Sequence, residues 1–155
     1  IQFVLLGSGK EKDHLMAKAK ERRLDNLHFL PPVPKRMMRD ALAASNACLA
    51  ILKPIDLYKT TYPNKVFDYM AAGRPVILAI DGVIRKVIEE ADAGLAVPPG
   101  NHQALAEAVL SLARDPEKCK QKGLNGRKRV EDQFSREQIA EAFTALLNAM
   151  RRKND

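Results

Sequence analysis

The sequence has no tryptophan, few other aromatic residues and only two cysteines. Cys48 and Cys119 lie far apart, which excludes a disulfide framework and a cysteine-based zinc spacing and favours a reducing compartment, the cytoplasm. No run of about 18 uncharged apolar residues occurs, so no transmembrane helix is expected. The chain begins with Ile-Gln-Phe-Val-Leu-Leu, without Met or a basic segment. We therefore expect an N-terminally truncated chain that enters a strand directly, rather than a signal peptide.

Basic residues outnumber acidic ones by 26 to 19, and the resulting net charge of +7 points to an anionic partner. Nucleic acid is not expected, because aromatic residues make up only 5% of the chain and no zinc-finger or RNA-recognition motif is present. The basic run Lys118–Arg129 contains no acidic residue. Such a run is typical of a solvated helix face, and it also fits a helix that contacts an anionic membrane peripherally.

Apolar runs that alternate with amphipathic segments predict a single α/β domain over residues 1–155. The fold is expected to be a Rossmann-like, doubly wound parallel sheet with additional C-terminal helices. In such sheets, ligands bind at the carboxyl ends of the strands. The predicted strands are Gln2–Leu6, His28–Leu30, Ala47–Leu52, Pro75–Ile80 and Leu95–Val97. The predicted helices cover roughly Lys10–Arg23, the segment after Pro34, Lys65–Ala72 with Asn64 as its cap and Gly73 as its stop, Val83–Ala91, and three later helices capped by Asn101, Asp115 and Ser135.

The loop Gly7-Ser8-Gly9-Lys10 follows a predicted strand and opens a helix. Its glycines let backbone N–H groups approach a phosphate, so Gly9 is a candidate ligand contact. The loop is not a P-loop, because Glu11 stands where Ser or Thr should follow the lysine. A tight strand-to-helix turn uses glycine for steric reasons as well, and both interpretations stay open here.

The most informative segment is Tyr62–Val76, which places a helix start after a buried strand. Free N–H groups at Asn64, Lys65 and Val66 are expected to bind a diphosphate, and Lys65 adds a positive charge. Asp68 lies three residues after Lys65 on the same helix face, where a carboxylate can accept hydrogen bonds from a vicinal diol such as that of ribose. The alternative is an exposed Lys65–Asp68 ion pair with a small effect on stability.

The segment Pro63–Ile77 resembles the nucleotide-sugar motif of glycosyltransferase family 4, the retaining enzymes of the GT-B fold. The agreement continues in order along nearly the whole chain. The further segments that carry it are Phe3–Gly9, Leu27–Val33, Gly94–Asn101, Asn125–Arg127 and Phe134-Ser135.

The resemblance implies a donor-binding domain for a nucleoside-diphosphate sugar. The family has two glutamates separated by seven residues, and the second, which binds ribose, matches Asp68. The first, which faces the donor sugar, falls on Thr60, so Asp56, Thr60 and Thr61 are candidates to replace it. The resemblance also implies that backbone groups at the Val33 turn hold the base and that the N–H groups of residues 64–66 hold phosphate.

The resemblance further implies that the acceptor-binding domain and the first strand of the donor-binding domain lie outside the chain. The chain alone is therefore expected to bind the donor poorly and not to catalyse transfer. The expected donor is UDP- or GDP-linked, without a metal or other cofactor. The acceptor is expected to be a glycan or a lipid-linked sugar, in bacterial surface polysaccharide or lipopolysaccharide synthesis. Two alternatives stay open, a non-catalytic nucleotide-binding module and a nucleotide-sugar epimerase of GT-B architecture.

Overall fold

The structure, a computed structural model, describes residues 1–151 and divides into two compact units. The first unit is Ile1–Ala41, and the second begins at Leu42. Each unit contains a parallel β-sheet with helices, so the predicted α/β class is confirmed. The five predicted strands form, and their hydrogen bonds place them in one sheet of two strands and one of three.

The first unit is built on strands β1 (Phe3–Leu6) and β2 (Leu27–Leu30). These strands are parallel and in register along their whole length. Helix α1 (Lys12–Glu21) connects them, as parallel pairing requires.

The second unit is built on strands β3 (Cys48–Ile51), β4 (Val76–Ala79) and β5 (Gly94–Ala96). All pairings are parallel, in the order β3-β4-β5. Every side chain of β4 is buried, which explains why the sequence shows a continuous apolar run there instead of an alternating one.

Alternate side chains of β4 enter two different cores, one on each face of the sheet. Leu78 packs with side chains from α3 (Asn64–Ala71) and α4 (Val83–Glu90). Ile77 packs on the opposite face with side chains from α5 (His102–Arg114). Helices therefore cover both faces of this sheet, as a doubly wound arrangement predicts.

Three further helices complete the described chain: α2 (Lys35–Ala43), α6 (Pro116–Gln133) and α7 (Arg136–Arg151). The apolar side chains of α7 are about half exposed or more. They are Ile139, Phe143, Leu146, Leu147 and Met150. Within residues 1–151, no helix combines the length and the apolar character needed to cross a bilayer.

The predicted caps of the three C-terminal helices are confirmed. Side-chain oxygens of Asn101, Asp115 and Ser135 accept the backbone N–H three residues ahead at 2.9, 2.9 and 3.2 Å. The predicted stop of α3 is confirmed as well, because Gly73 adopts φ +67° and its N–H donates to the Met70 carbonyl at 2.8 Å.

The prediction that Asn64 caps α3 is wrong. Asn64 is the first helical residue, and the cap position is Pro63, which makes no side-chain cap bond. The proline ring fixes φ at −68° there and so directs the chain into the helix without a side-chain acceptor.

The segment between β3 and α3 contains a 3₁₀ helix, Asp56–Thr60. The sequence did not predict it, because a single polar turn carries no hydrophobic period.

Candidate functional site

The candidate site lies where the chain leaves the carboxyl end of β3 and enters α3. Between them runs the 3₁₀ helix, followed by Thr61, Tyr62 and Pro63. The side chain of Val66 is fully buried and anchors the first turn of α3 in the core beside β4. The polar residues around it are thereby held on a fixed element at the edge of the sheet.

The N-terminus of α3 presents fewer free N–H groups than the sequence predicts. Pro63 has no N–H, and the Val66 N–H donates to the Pro63 carbonyl at 3.0 Å. Of the three predicted phosphate donors, the Val66 amide is therefore already engaged. Within residues 1–151 no acceptor is found for the amides of Asn64 and Lys65, which leaves them available to an anion.

Lys65 is half-buried beside these amides. Burial lowers the pKa of its ammonium group, because desolvation disfavours the charged form. Within residues 1–151 no ion pair involves Lys65. An anion placed at this helix start would supply the missing counter-charge.

Asp68 is exposed and lies one turn further along α3. In the described part of the chain it forms no ion pair, either with Lys65 or with another cation. The alternative of a surface Lys65–Asp68 pair is therefore not what the structure shows. Both carboxylate oxygens of Asp68 remain able to accept hydrogen bonds from a ligand.

The candidates to replace the family's first carboxylate all take part in local contacts of the 3₁₀ helix. The hydroxyls of Thr60 and Thr61 donate to the Leu57 carbonyl at 3.0 and 3.3 Å. Asp56 pairs with Lys59 at 2.7 Å, which lowers the pKa of the Asp56 carboxyl. The two hydroxyl oxygens keep acceptor capacity, so either threonine can still accept a hydrogen bond from a sugar hydroxyl.

Arg85 is a charged residue at the same sheet edge that the sequence analysis did not single out. It donates to Asp81 at 2.9 Å and to Glu89 at 2.8 Å. The spacing of four residues from Arg85 to Glu89 was a usable signal, because neighbours at that spacing meet on a helix face.

Two predicted contacts, Gly9 and Val33, belong to the first unit. Gly9 is exposed, and its carbonyl accepts the Lys12 N–H at 3.1 Å. Val33 is half-buried after the carboxyl end of β2. The Lys12 ammonium, which the sequence analysis passed over, donates to the carbonyls of Gly7 and Leu30 at 2.9 and 3.0 Å and so links the carboxyl ends of β1 and β2.

The basic run of α6 is partly neutralised by carboxylates. Half of its six basic residues form ion pairs: Lys122 with Asp92, Arg127 with Glu131 and Arg129 with Glu90. Its exposed lysines are Lys118, Lys120 and Lys128. This pattern favours a structural and solvated helix face over a dense anion-binding surface.

Within residues 1–151, no three His, Cys, Asp or Glu side chains come together in the way that a metal ion requires. The groups that the described site presents are two amides, one ammonium, one carboxylate and two hydroxyls. Amides at a helix start and an ammonium group are suited to an anionic ligand with vicinal hydroxyls nearby.

Parallel α/β domains in which a helix begins at the carboxyl ends of the strands are a class of fold that commonly binds nucleotides at that edge. Within that class, the chain belongs to the family described as Glycosyl transferases group 1, whose model matches residues 1–115. The predicted resemblance to a GT-B glycosyltransferase is confirmed at this level.

One curated relative is the O-antigen chain mannosyltransferase C of Escherichia coli. It is 24% identical over 151 residues, which cover 97% of this chain and 40% of that protein. The chain thus spans about two fifths of the length of that relative.

Solved structures share the fold. Sucrose-phosphate synthase from Thermosynechococcus elongatus matches with a TM-score of 0.84 at 26% identity, over 98% of this chain and 39% of that one. HepE from Anabaena, in complex with UDP-glucose, matches with a TM-score of 0.77 at 19% identity, over 93% of this chain and 41% of that one. At 19% identity, the likeness to HepE shows the fold alone.

Proposed function

We propose that this chain is the donor-binding part of a retaining glycosyltransferase of family 4. The enzyme transfers a sugar from a nucleoside-diphosphate sugar to a glycan or lipid-linked acceptor. The observation that carries the proposal is the start of α3, where Lys65 and two amides face no anion within residues 1–151 and Asp68, one turn on, has no cationic partner there. Family membership and the UDP-glucose complex of HepE support it.

In this mechanism the diphosphate of a UDP- or GDP-linked donor binds at the start of α3. The amides of Asn64 and Lys65 donate to phosphate oxygens, and the Lys65 ammonium balances the charge. When the bond between sugar and diphosphate breaks, negative charge grows on the leaving group. Preorganised donors at that point stabilise the transition state more than the ground state.

The remaining contacts position the two ends of the donor. Asp68 accepts hydrogen bonds from the ribose hydroxyls. The base contact at Val33 and the phosphate contact at Gly9, which the family resemblance implies for the first unit, stay predictions. Thr60 or Thr61 accepts a hydrogen bond from the donor sugar in place of the carboxylate found in the family. In this proposal the chain needs no resident cofactor or metal.

The acceptor-binding half of the enzyme is proposed to lie outside this chain. The chain's 40% share of the mannosyltransferase supports this, and so does its 39% share of sucrose-phosphate synthase. We place the enzyme in the synthesis of a bacterial surface polysaccharide or lipopolysaccharide, on the strength of the O-antigen relative.

We place the enzyme in the cytoplasm. Cys48 and Cys119 are free thiols. Burial raises the pKa of both thiols, which keeps them protonated and unreactive. Peripheral contact with an anionic inner-membrane face would rest on the exposed lysines of α6.

The relatives described above carry transferase and synthase names, which does not favour a non-catalytic module or an epimerase.

The test is calorimetry of the full-length enzyme with UDP, GDP and ADP. For the nucleotide that binds most tightly, Asp68→Asn should weaken binding by roughly 1.5–3 kcal/mol, or about tenfold to a hundredfold in Kd. The matched control is Asp132→Asn, which removes an exposed helical carboxylate from α6 and should leave Kd unchanged.

A 2′-deoxynucleotide sharpens this experiment. If Asp68 binds ribose, the Asp68→Asn effect shrinks when the 2′-hydroxyl is missing, because the two changes remove the same interaction. Equal losses on the ribo- and deoxyribonucleotide would disprove the ribose role. Absence of binding by every nucleotide would disprove the function itself.

A further inference from the structure

Gly82 occupies a turn between β4 and α4 that only glycine can form. Its φ of +91° and ψ of −142° lie in a region that side chains do not tolerate, and it is the cap residue of α4. This backbone conformation alone would explain a glycine at position 82. The neighbouring backbone of Lys59 is a second reason.

The backbone of Lys59 blocks the space that a side chain at Gly82 would need. A Cβ atom there would lie 1.9 Å from the Lys59 carbonyl oxygen and 2.4 Å from the Lys59 Cα. Backbone atoms cannot rotate aside as a flexible side chain can, so the 3₁₀ helix itself would have to move. The turn and the 3₁₀ helix are therefore in direct backbone contact.

Charged side chains reinforce the same contact. The Lys59 ammonium pairs with Asp56 at 2.7 Å within the 3₁₀ helix. Asp56 and, more weakly, Asp81 raise the pKa of Lys59, so the residue next to Gly82 also attracts this ammonium. Arg85 in turn holds Asp81 at 2.9 Å.

The 3₁₀ helix leads directly into the candidate site. Thr60 follows Lys59 at once, and four residues after Thr60 the chain enters α3, whose first turn is fixed by the buried Val66. Since α3 is anchored in the core, a shift of Lys59 changes the position of Thr60 and Thr61 relative to the start of α3.

We propose that Gly82 is a positioning residue for donor binding. Because it has no side chain, the 3₁₀ helix can lie against the turn after β4, and this contact sets Thr60 and Thr61 relative to the amides of α3. The inference rests on the proposed function. It assigns the positioning of Thr60 and Thr61 to a residue that touches neither the nucleotide nor the sugar.

The test compares Gly82→Ala with Gly100→Ala in the full-length enzyme. Gly100 has a similar φ of +82°, yet nothing lies within 4 Å of its Cβ position. Both variants therefore place a side chain on a residue of positive φ, and only Gly82→Ala meets Lys59. Donor KM, kcat, the Kd of the free nucleoside diphosphate and the thermal midpoint are measured for each.

Gly82→Ala should raise the donor KM roughly tenfold to a hundredfold, the scale of a displacement of about 1 Å in a binding site. The Kd of the nucleoside diphosphate should change much less, because the start of α3 stays anchored. Gly100→Ala should leave the donor KM within about twofold, even where both variants lose similar thermal stability.

Equal donor KM values for the two variants would overturn the inference, and so would a parallel loss of nucleoside diphosphate and donor affinity in Gly82→Ala. If Gly82→Ala does not fold, Asp81→Asn loosens the same turn while Gly82 stays in place. It should then raise the donor KM several-fold, and an unchanged KM would overturn the inference. Failure of the wild-type enzyme to bind any nucleotide sugar would instead refute the proposed function.

Discussion

At the scale of the single residue, the chemistry of the site centres on Lys65. Its ammonium is half-buried and has no carboxylate partner within residues 1–151. Partial burial without a carboxylate partner disfavours the charged form of this lysine. A bound diphosphate would restore the balance, so ligand binding and protonation of Lys65 are linked.

This linkage predicts a pH dependence of nucleotide affinity. Burial lowers the pKa of free Lys65 below its ordinary 10.5, and an adjacent diphosphate raises it again. Affinity should therefore be complete below the pKa of the free enzyme and decline as pH rises through it toward 10.5.

Calorimetry with UDP or GDP across alkaline pH measures this decline. Lys65→Arg should flatten it, because a guanidinium group stays charged throughout. Lys120→Arg, which changes an exposed lysine of α6, should keep the wild-type profile. Identical profiles for Lys65→Arg and the wild type would show that the ammonium does not contact the diphosphate.

At the scale of the element, α6 holds the end of α3 in place through two glycines. A Cβ at Gly123 would lie 2.1 Å from the Gly73 carbonyl oxygen, at the turn that ends α3. A Cβ at Gly126 would lie 3.2 Å from Ala93 and 3.3 Å from the Met70 side chain. The helix that carries Lys65 and Asp68 is thus supported at its far end by close helix packing.

Because of these contacts, we expect a glycine-to-alanine substitution in α6 to lower the stability of the protein, whereas helix propensity alone would raise it. Replacing glycine by alanine in a helix ordinarily stabilises it by about 1 kcal/mol. Gly123→Ala should instead destabilise the protein by roughly 1–3 kcal/mol, because the new methyl group meets a backbone carbonyl.

Urea unfolding of the variants measures this effect. Gly126→Ala should cost less, since side chains can adjust, and Lys120→Ala on the exposed face should stay within about 0.5 kcal/mol of wild type. A stabilising Gly123→Ala would show that α6 does not pack on the end of α3 as described.

The elements also show what could be read from the sequence. The strands and helices were predictable because apolar periods and cap residues such as Asn101 and Asp115 are local signals. The site motif from Asn64 to Asp68 stays a prediction, which rests on the helix start and on the family resemblance. Residue types could not reveal that the Val66 amide bonds to Pro63, since that depends on how the chain enters α3. The contact between Gly82 and Lys59 joins separate segments and leaves no periodic pattern.

At the scale of the whole molecule, the chain is expected to be insufficient for transfer. It spans 40% of the mannosyltransferase relative, and the proposed acceptor-binding half is not part of it. The isolated chain should release no nucleoside diphosphate from a donor in the presence of acceptor, whereas the full-length enzyme should. Turnover by the chain alone at the rate of the full-length enzyme would contradict the proposal that the acceptor is bound by a separate half of the enzyme.

A nuclear magnetic resonance titration of the selectively labelled full-length enzyme with UDP and GDP tests most directly whether a diphosphate binds at the start of α3. One of the two nucleotides should shift the amide signals of Asn64 and Lys65 saturably, together with the carboxyl signal of Asp68. The amides of His102 and Gln103 begin another helix, which Asn101 caps, and should not move. Saturable binding that leaves the signals of residues 64, 65 and 68 unchanged would show that the nucleotide does not bind at the start of α3.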